Sequence, residues 1–307
     1  MATSRRILLT GATGLIGRGV VQRLAAQGDT CVVISRGSRD PWSLSNVKVV
    51  AADPTQSGDW QALVDGTHGV INLAGARLVE PPKRWTSRQR AILRASRVDT
   101  TARLAEAVLA APTPPGVFLS GSAVGYYGNR GDEPVGETAG AGTDFLARLC
   151  EEWETAARPA ARRTRVVWLR TGLVLAANDG FLAPMLPFFR LGLGTGWADG
   201  SGWLSWIHRA DEVGLIQAAL DDERYAGALN CTAPEPVTVA QFTELLAAAL
   251  RRPTFLPNIP GALLRVGLGE AADVLLHLQR VLPERALQLG YPFRHPTLAA
   301  ALRDVLA

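Results

Sequence analysis

Cysteine, histidine, lysine and long apolar runs are all scarce in this chain. Its three cysteines, Cys31, Cys150 and Cys231, form an odd set with no CxxC spacing. That excludes a disulfide framework and points to a reducing compartment. The four histidines, His68, His208, His277 and His295, are scattered, so no metal site is expected. Arg, Gly or Pro interrupts each apolar stretch before it could span a bilayer, so a membrane partner is not expected. MATSRR leads directly into the first expected strand and leaves no room for a signal peptide; the expected location is cytoplasmic. Only two lysines occur, Lys48 and Lys83, and the rest of the 32 basic residues are arginine. The arginines lie among acidic and apolar residues, and the net charge is only +4 although the pI is near 9.3. No RNA- or DNA-binding signature accompanies that charge, so the expected partner is a small-molecule substrate rather than nucleic acid.

What is present is concentrated at residues 5–17, RRILLTGATGLIG. An apolar run, Ile7 to Leu9, leads into Gly11, Gly14 and Gly17, and Val20, Val21, Leu24 and Ala25 follow on one side of an amphipathic segment. Strand, tight turn and helix together are the context in which a glycine motif reads as a dinucleotide site. Gly11 suits the turn, Gly14 lets the backbone approach a diphosphate, and Gly17 lets helix and strand pack closely. The first-turn amides around Thr13, Leu15 and Ile16 would then face the phosphates. The spacing is GxxGxxG rather than GxGxxG, and a plain Gly-rich turn is the alternative.

At 307 residues the chain can build a sizeable core. Expected strands are 5–10, 30–35, 47–52, 69–74, 116–120 and 165–170; expected helices are 15–27, 59–64, 87–110 and 144–158. Apolar runs without in/out alternation fit a parallel sheet covered on both faces. The fold class is therefore α/β, a Rossmann-like doubly wound parallel sheet with a smaller C-terminal substrate-side lobe. Gly and Pro become denser after about residue 175, followed by a strand-like WLSWIH, a helix at 210–221, a strand at 228–232 and a helix at 238–250. Residues 1–175 are expected to form the nucleotide-binding domain, with segments around 205–233 returning to it, and 176–307 the second lobe. Repeats and low-complexity linkers are not evident. Helices at 87–110 and 144–158 could pair between two copies, so a homodimer is an open option.

Ligands in such sheets sit beyond the carboxyl ends of the strands, so the residues there are the site candidates. Ser35-Arg36 ends the second strand. An acidic residue there would suit the free ribose 2′-hydroxyl of NAD; Arg36 instead suits a 2′-phosphate, so the expected cofactor is NADP(H). Asp53 follows the third strand, where it could accept from the adenine amino group or simply form a turn. Leu73, Ala74 and Gly75 follow the fourth and let the backbone pass close to a cofactor ribose. Ser120 and Ser122 close the fifth, near the expected nicotinamide, and Arg170 closes the sixth.

Taken together, GATGLIG, VVISR, INLAGA, RWTSRQRAILRASRVDTT, SGSAVGYYG, CEEWE, LRTGLVL, SWIHRADEVG and NCTAPEPVT resemble the extended and atypical short-chain dehydrogenase/reductases. More narrowly, the chain is similar to their epimerase-like subfamily, labelled sugar-nucleotide epimerase-related or NADP-dependent oxidoreductase. LGEAADVLLHLQRVLPERALQLGYPF resembles that subfamily's own C-terminal domain, so a family-type helical region is expected from about residue 253. The resemblance implies a proton-passing tyrosine with a lysine four residues later, which lowers the tyrosine pKa and holds the ribose. This chain lacks the pair: neither lysine follows Tyr126, Tyr127, Tyr225 or Tyr291, and Phe145, Leu146, Leu149 and Cys150 stand on the corresponding helix.

Three substitutes are conceivable. Tyr126 or Tyr127 of GYYG could reach the substrate beside Ser122, with Arg130 lowering the tyrosine pKa. Cys150 stands roughly where the lysine would be, but Glu151 and Glu152 argue against a thiolate. Ser205, His208 or Asp211 could act from the second lobe, but a structural role suits His208 better and Asp211 fits the start of the 210–221 helix. Trp197, Trp203, Trp206, Phe188 and Phe189 read either as a substrate wall or as an inter-lobe core. Gln279 to Pro283 is expected to end one helix at Leu282 and start another. The leading expectation is an NADP(H)-dependent oxidoreductase on a small carbonyl or alcohol, with Ser122 and a GYYG tyrosine as the reactive polar groups. The alternatives are a non-catalytic NADP-dependent sensor and a nucleotide-sugar epimerase, against which Arg36 counts.

Overall fold

The computed structural model describes residues 4–80 and 84–307; Lys83 lies outside the described residues. Seven strands form one all-parallel sheet: β1 (Arg6–Thr10), β2 (Thr30–Ser35), β3 (Val47–Ala51), β4 (Gly69–Asn72), β5 (Val117–Ala123), β6 (Arg165–Thr171) and β7 (Gly227–Cys231). Their spatial order is β3-β2-β1-β4-β5-β6-β7. The order reverses between β1 and β4, which opens a crevice at their carboxyl ends.

Both faces of the sheet are covered, which is why its strands read as unbroken apolar runs. On one face Ile7, Leu9, Val33, Ile71, Leu119 and Val167 pack against α1 (Leu15–Ala26) and α5 (Arg209–Asp221). On the other, Leu8, Val32, Ile34, Val70 and Phe118 pack against α3 (Thr100–Ala110) and the end of α4 (Phe145–Ala157). Each such buried side chain stabilises the fold by about 1.5–3 kcal/mol relative to exposure.

The single helix expected over 87–110 is interrupted. α2 (Ser87–Arg94) runs into a π-helical turn, Ala95–Asp99, before α3 begins. The segment at 59–64 is a 3-10 helix rather than an α-helix.

WLSWIH splits into two short strands. Trp203–Leu204 pairs antiparallel with Val237–Thr238, and Trp206–His208 pairs parallel with Leu173–Leu175. Ser205 marks the change of partner: its hydroxyl donates to the Gln279 carbonyl at 2.6 Å and accepts from the Val281 amide at 2.8 Å. Thr238 caps α6 (Val239–Leu250) in a capping box with Gln241.

The second core joins Leu182, Phe189, Trp197, Trp206, Phe242, Leu246 and Leu302. The expected aromatic wall is thereby divided. Trp197, Trp206 and Phe189 belong to this core, Arg280 stacks on Trp203, and Phe188 faces solvent. Gln279–Pro283 also differs from expectation: Arg280–Val281 is a short strand beside Pro134–Val135, and the next helix starts at Glu284.

Candidate functional site

β1 ends at Thr10, and Gly11 takes φ +69° to turn the chain into α1. A side chain there would be strained and would collide with the Leu73 carbonyl, so the turn lies directly against the exit of β4. At Gly17 a Cβ would come within 2.5 Å of the Ala12 Cα. α1 has Gly14 as its N-cap, with no side-chain cap and no acidic residue in its first turn. The Gly14 carbonyl accepts from the Arg18 amide, so the amides of Leu15, Ile16 and Gly17 precede the first intrahelical donor. Thr13 is exposed beside them, while Leu15 and Ile16 are half-buried.

The crevice rim follows the strand exits. Ser35 accepts from the Gly37 amide, and Arg36 is exposed, with no carboxylate paired to it among the described residues. Asp53 is exposed, and its Oδ1 closes its own turn by accepting from the Thr55 amide and hydroxyl. Leu73, Ala74 and Gly75 form the partly open exit of β4. Asn72 organises that exit from within. It accepts from Thr10 Oγ1 at 2.6 Å and from the Ala74 amide, and donates to Thr101 Oγ1 at 2.7 Å.

Four of the residues expected at the cofactor or substrate are buried, and three of them are hydrogen-bonded to other side chains. Ser120 is fully buried, and its hydroxyl has no partner among the described residues. Ser122 is 4% exposed and donates to Glu154 Oε1 at 2.7 Å. The Arg170 guanidinium grips both Glu154 oxygens, at 2.8 and 3.0 Å, and donates to the Tyr127 hydroxyl and the Glu137 carbonyl. It is the hub of a buried network, because the pleat turns its side chain toward α4 rather than the crevice. Tyr127 is fully enclosed, and its hydroxyl donates to Asn230 Oδ1 at 2.6 Å. Burial pushes that phenol up to about 12, against the opposing pull of Arg170.

Tyr126 differs. It is half-buried, with its ring 3.6 Å from the Arg170 guanidinium carbon and edge-on to Tyr127. The Arg130 guanidinium donates to the Tyr127 and Gly140 carbonyls and pins the loop.

α4 starts after Asp144, which accepts from the Ala147 amide. Leu146 and Cys150 lie against Gly125, and burial pushes the Cys150 thiol up to about 12. A neutral thiol therefore stands where the resemblance puts a lysine.

Sequence reasoning missed Arg97. It is 9% exposed, donates to the carbonyls of Leu93 and Ala76, and sits over Trp153 at 5.3 Å. A Cβ on Gly75 would lie 3.2 Å from its guanidinium carbon. The signal was present: Arg97 falls between Leu93 and Thr101 at four-residue spacing, a charge on a buried stripe.

The second-lobe candidates hold the chain together. Ser205 is the pin described above. His208 Nδ1 accepts from the Ala210 amide, so Nε2 carries the proton and points it at Asp304, 3.1 Å away. His295 stacks on the same ring at 3.9 Å. The three groups are close enough for an ion, yet this tautomer offers a proton to the carboxylate rather than a lone pair to a metal. Asp211 accepts from the Arg294 and His295 amides at 2.8 and 2.9 Å and so ties down the C-terminal segment. No helix among the described residues is long and apolar enough to cross a membrane.

Comparison with known proteins covers the same ground. The model of the NAD dependent epimerase/dehydratase family matches residues 7–231, and one described as a domain of unknown function, DUF1731, matches 259–305. "Epimerase family protein SDR39U1 homolog, chloroplastic" of Arabidopsis thaliana is 37% identical, over 98% of this chain and 86% of its own length. Epimerase family protein Mb2239 of Mycobacterium bovis is 39% identical over 96% of each. The crystal structure of human epimerase family protein SDR39U1 (isoform2) with NADPH gives a TM-score of 0.87 at 33% identity, covering 98% of both chains. With sheet, crevice and C-terminal segment all matched, this chain belongs to the NAD dependent epimerase/dehydratase family, among its SDR39U1-like short-chain dehydrogenase/reductase members.

Proposed function

We propose that this protein binds NADP(H) and acts as an oxidoreductase on a small carbonyl or alcohol. The observation that carries the reading is the uncapped, acid-free start of α1 behind Gly11, flanked by the unpaired Arg36 at the exit of β2. Free amides and the positive helix end suit a diphosphate. The Arg36 guanidinium suits the 2′-phosphate that distinguishes NADP from NAD. The human relative crystallised with NADPH supports the same choice. Hydride transfer is the chemistry the bound cofactor supplies.

The chain's own residues bind and orient. Leu15, Ile16 and Gly17 would hold the diphosphate through their amides, Arg36 the adenosine ribose, and Leu73 to Gly75 the edge of the crevice. Tyr126 is the residue we assign to proton transfer, because its ring is held by Arg170 while Tyr127 and Ser122 are spent on Asn230 and Glu154. Asp53 is kept as an adenine contact only through its second oxygen. We assign 1–175 with the returning 205–233 to the nucleotide unit and the rest of 176–307 to the substrate side. All three cysteines are free and buried, which suits a cytoplasmic setting.

A second reading, a non-catalytic NADP-dependent sensor, draws on the same commitments of Ser122, Tyr127 and Cys150. Titrating NADPH and NADH into wild type and Arg36→Ala tests the cofactor assignment. Removing the charge-assisted hydrogen bonds of Arg36 should weaken NADPH by about 10- to 100-fold and NADH far less. Equal losses, or no binding of either nucleotide to the folded protein, would overturn it. Oxidation of bound NADPH by a member of an aldehyde, ketone and quinone panel favours the reductase; tight binding without turnover favours the sensor.

A further inference from the structure

The fold buries two guanidiniums beneath the crevice, and only one of them is neutralised. Arg170 has both oxygens of Glu154. Arg97 has the carbonyls of Leu93 and Ala76 and the face of the Trp153 ring, and among the described residues no carboxylate pairs with it. Its one ionisable neighbour of consequence is Cys150, whose thiol burial keeps neutral. A buried cation without a counter-charge is costly unless a polar ligand completes it.

Its position says which ligand. Arg97 lies on the π-helical turn between α2 and α3, a kind of bulge that recurs at functional sites. It touches the β4 exit at Gly75 and approaches Cys150, which lies beside Gly125 just beyond β5. In the sheet order, Arg36 leaves β2, the Gly11 turn leaves β1, and Arg97 stands between the exits of β4 and β5. At about 4.8 Å per strand, the exit of β2 and the gap between β4 and β5 lie roughly 12 Å apart, with the start of α1 between them. A dinucleotide whose phosphorylated adenosine ribose meets Arg36 and whose diphosphate meets α1 brings its other ribose to Arg97.

We propose that Arg97 is the cation at the nicotinamide end of the crevice, its guanidinium donating to the hydroxyls of the ribose that carries the nicotinamide. Gly75 is small because the guanidinium and the ribose share that space. The proposal rests on the NADP(H) reading above. It gives the chain a fixed, permanently charged donor on α2–α3 in place of a titratable one on α4.

Two nucleotides separate the two claims. NADPH carries both riboses; 2′,5′-ADP carries only the adenosine half. Arg97→Met should weaken NADPH by about tenfold or more and leave 2′,5′-ADP within about twofold of wild type, with Arg97→Lys recovering part of the loss. Retained 2′,5′-ADP binding also shows that the variant is folded. NADPH binding unchanged in Arg97→Met would overturn this proposal and leave the cofactor reading standing. Wild type that binds neither nucleotide would overturn both. If Arg97→Met loses 2′,5′-ADP as well, the wild-type protein decides by NMR of the arginine Nε–H groups. An Arg97 signal that shifts with NADPH but not with 2′,5′-ADP supports the assignment, and one that ignores NADPH refutes it.

Discussion

Replacing Glu212 by glutamine should stabilise the protein at about pH 8 and leave it unchanged near pH 4. Glu212 lies in the first turn of α5 and is fully buried. Thr171 Oγ1 donates to its Oε1 at 2.9 Å, while Oε2 has no partner. Burial pushes its carboxyl up from 4.5 to about 8, with the Thr171 hydrogen bond opposing. The unfolded chain loses this proton near the ordinary carboxylate value, whereas the native state keeps it until about pH 8. Between those values the native state holds more protons, so this group makes stability fall as pH rises. Every pH unit between the two values corresponds to about 1.4 kcal/mol, so the whole window sets a ceiling near 5 kcal/mol. Relaxation and water reaching Oε2 reduce that, and a difference of about 2–3 kcal/mol at pH 8 is the working figure. Glutamine keeps the shape and the acceptor for Thr171 but has no proton to lose. Urea unfolding of both proteins at several values between about pH 4 and pH 8 is the assay, and the difference between the two carries the test because other groups titrate in common. A constant difference across that range, or a variant that loses ground as pH rises, would refute the reasoning.

Glu154→Gln should cost about 3–5 kcal/mol of stability, because it strands the buried Arg170 charge and disturbs Ser122. Denaturant unfolding checks this, and a loss under about 1 kcal/mol would mean the network is not holding β6 to α4. Tyr126→Phe keeps the ring over Arg170 and removes only the hydroxyl, so NADPH affinity should hold. Turnover of whichever panel carbonyl the wild type reduces should fall by about 10²-fold or more. Turnover equal to wild type in a steady-state assay would remove Tyr126 from proton transfer.

The dinucleotide turn was legible because it is local: β1, Gly11 and α1 are contiguous, and one apolar run, one turn and one amphipathic helix define it. The strand positions were legible for a related reason, since a doubly covered parallel sheet writes itself as apolar runs. The reactive groups were not. Ser122 and Arg170 sit at strand ends as expected, but which face they point to depends on the pleat and on α4 lying behind them with Glu154. Tyr126 and Tyr127 are adjacent in GYYG, yet one is half-open over a guanidinium and the other sealed against Asn230, about a hundred residues away in sequence. Arg97 stood on a buried stripe in the sequence, but only the fold sets its guanidinium against Gly75. For His208 and Asp211 the sequence favours a structural role, but their partners in the C-terminal segment become visible only in the fold.

The order of residues alone determined the parallel sheet, the glycine turn and the arginine that follows β2, because each is specified by neighbours a few positions apart. Tertiary structure alone decided which charges are matched and which are not. Pairing Glu154 with Arg170 while leaving Arg97 and Glu212 without a counter-charge depends on segments distant in sequence meeting where water is excluded, and there the presence or absence of one partner changes what a side chain can do.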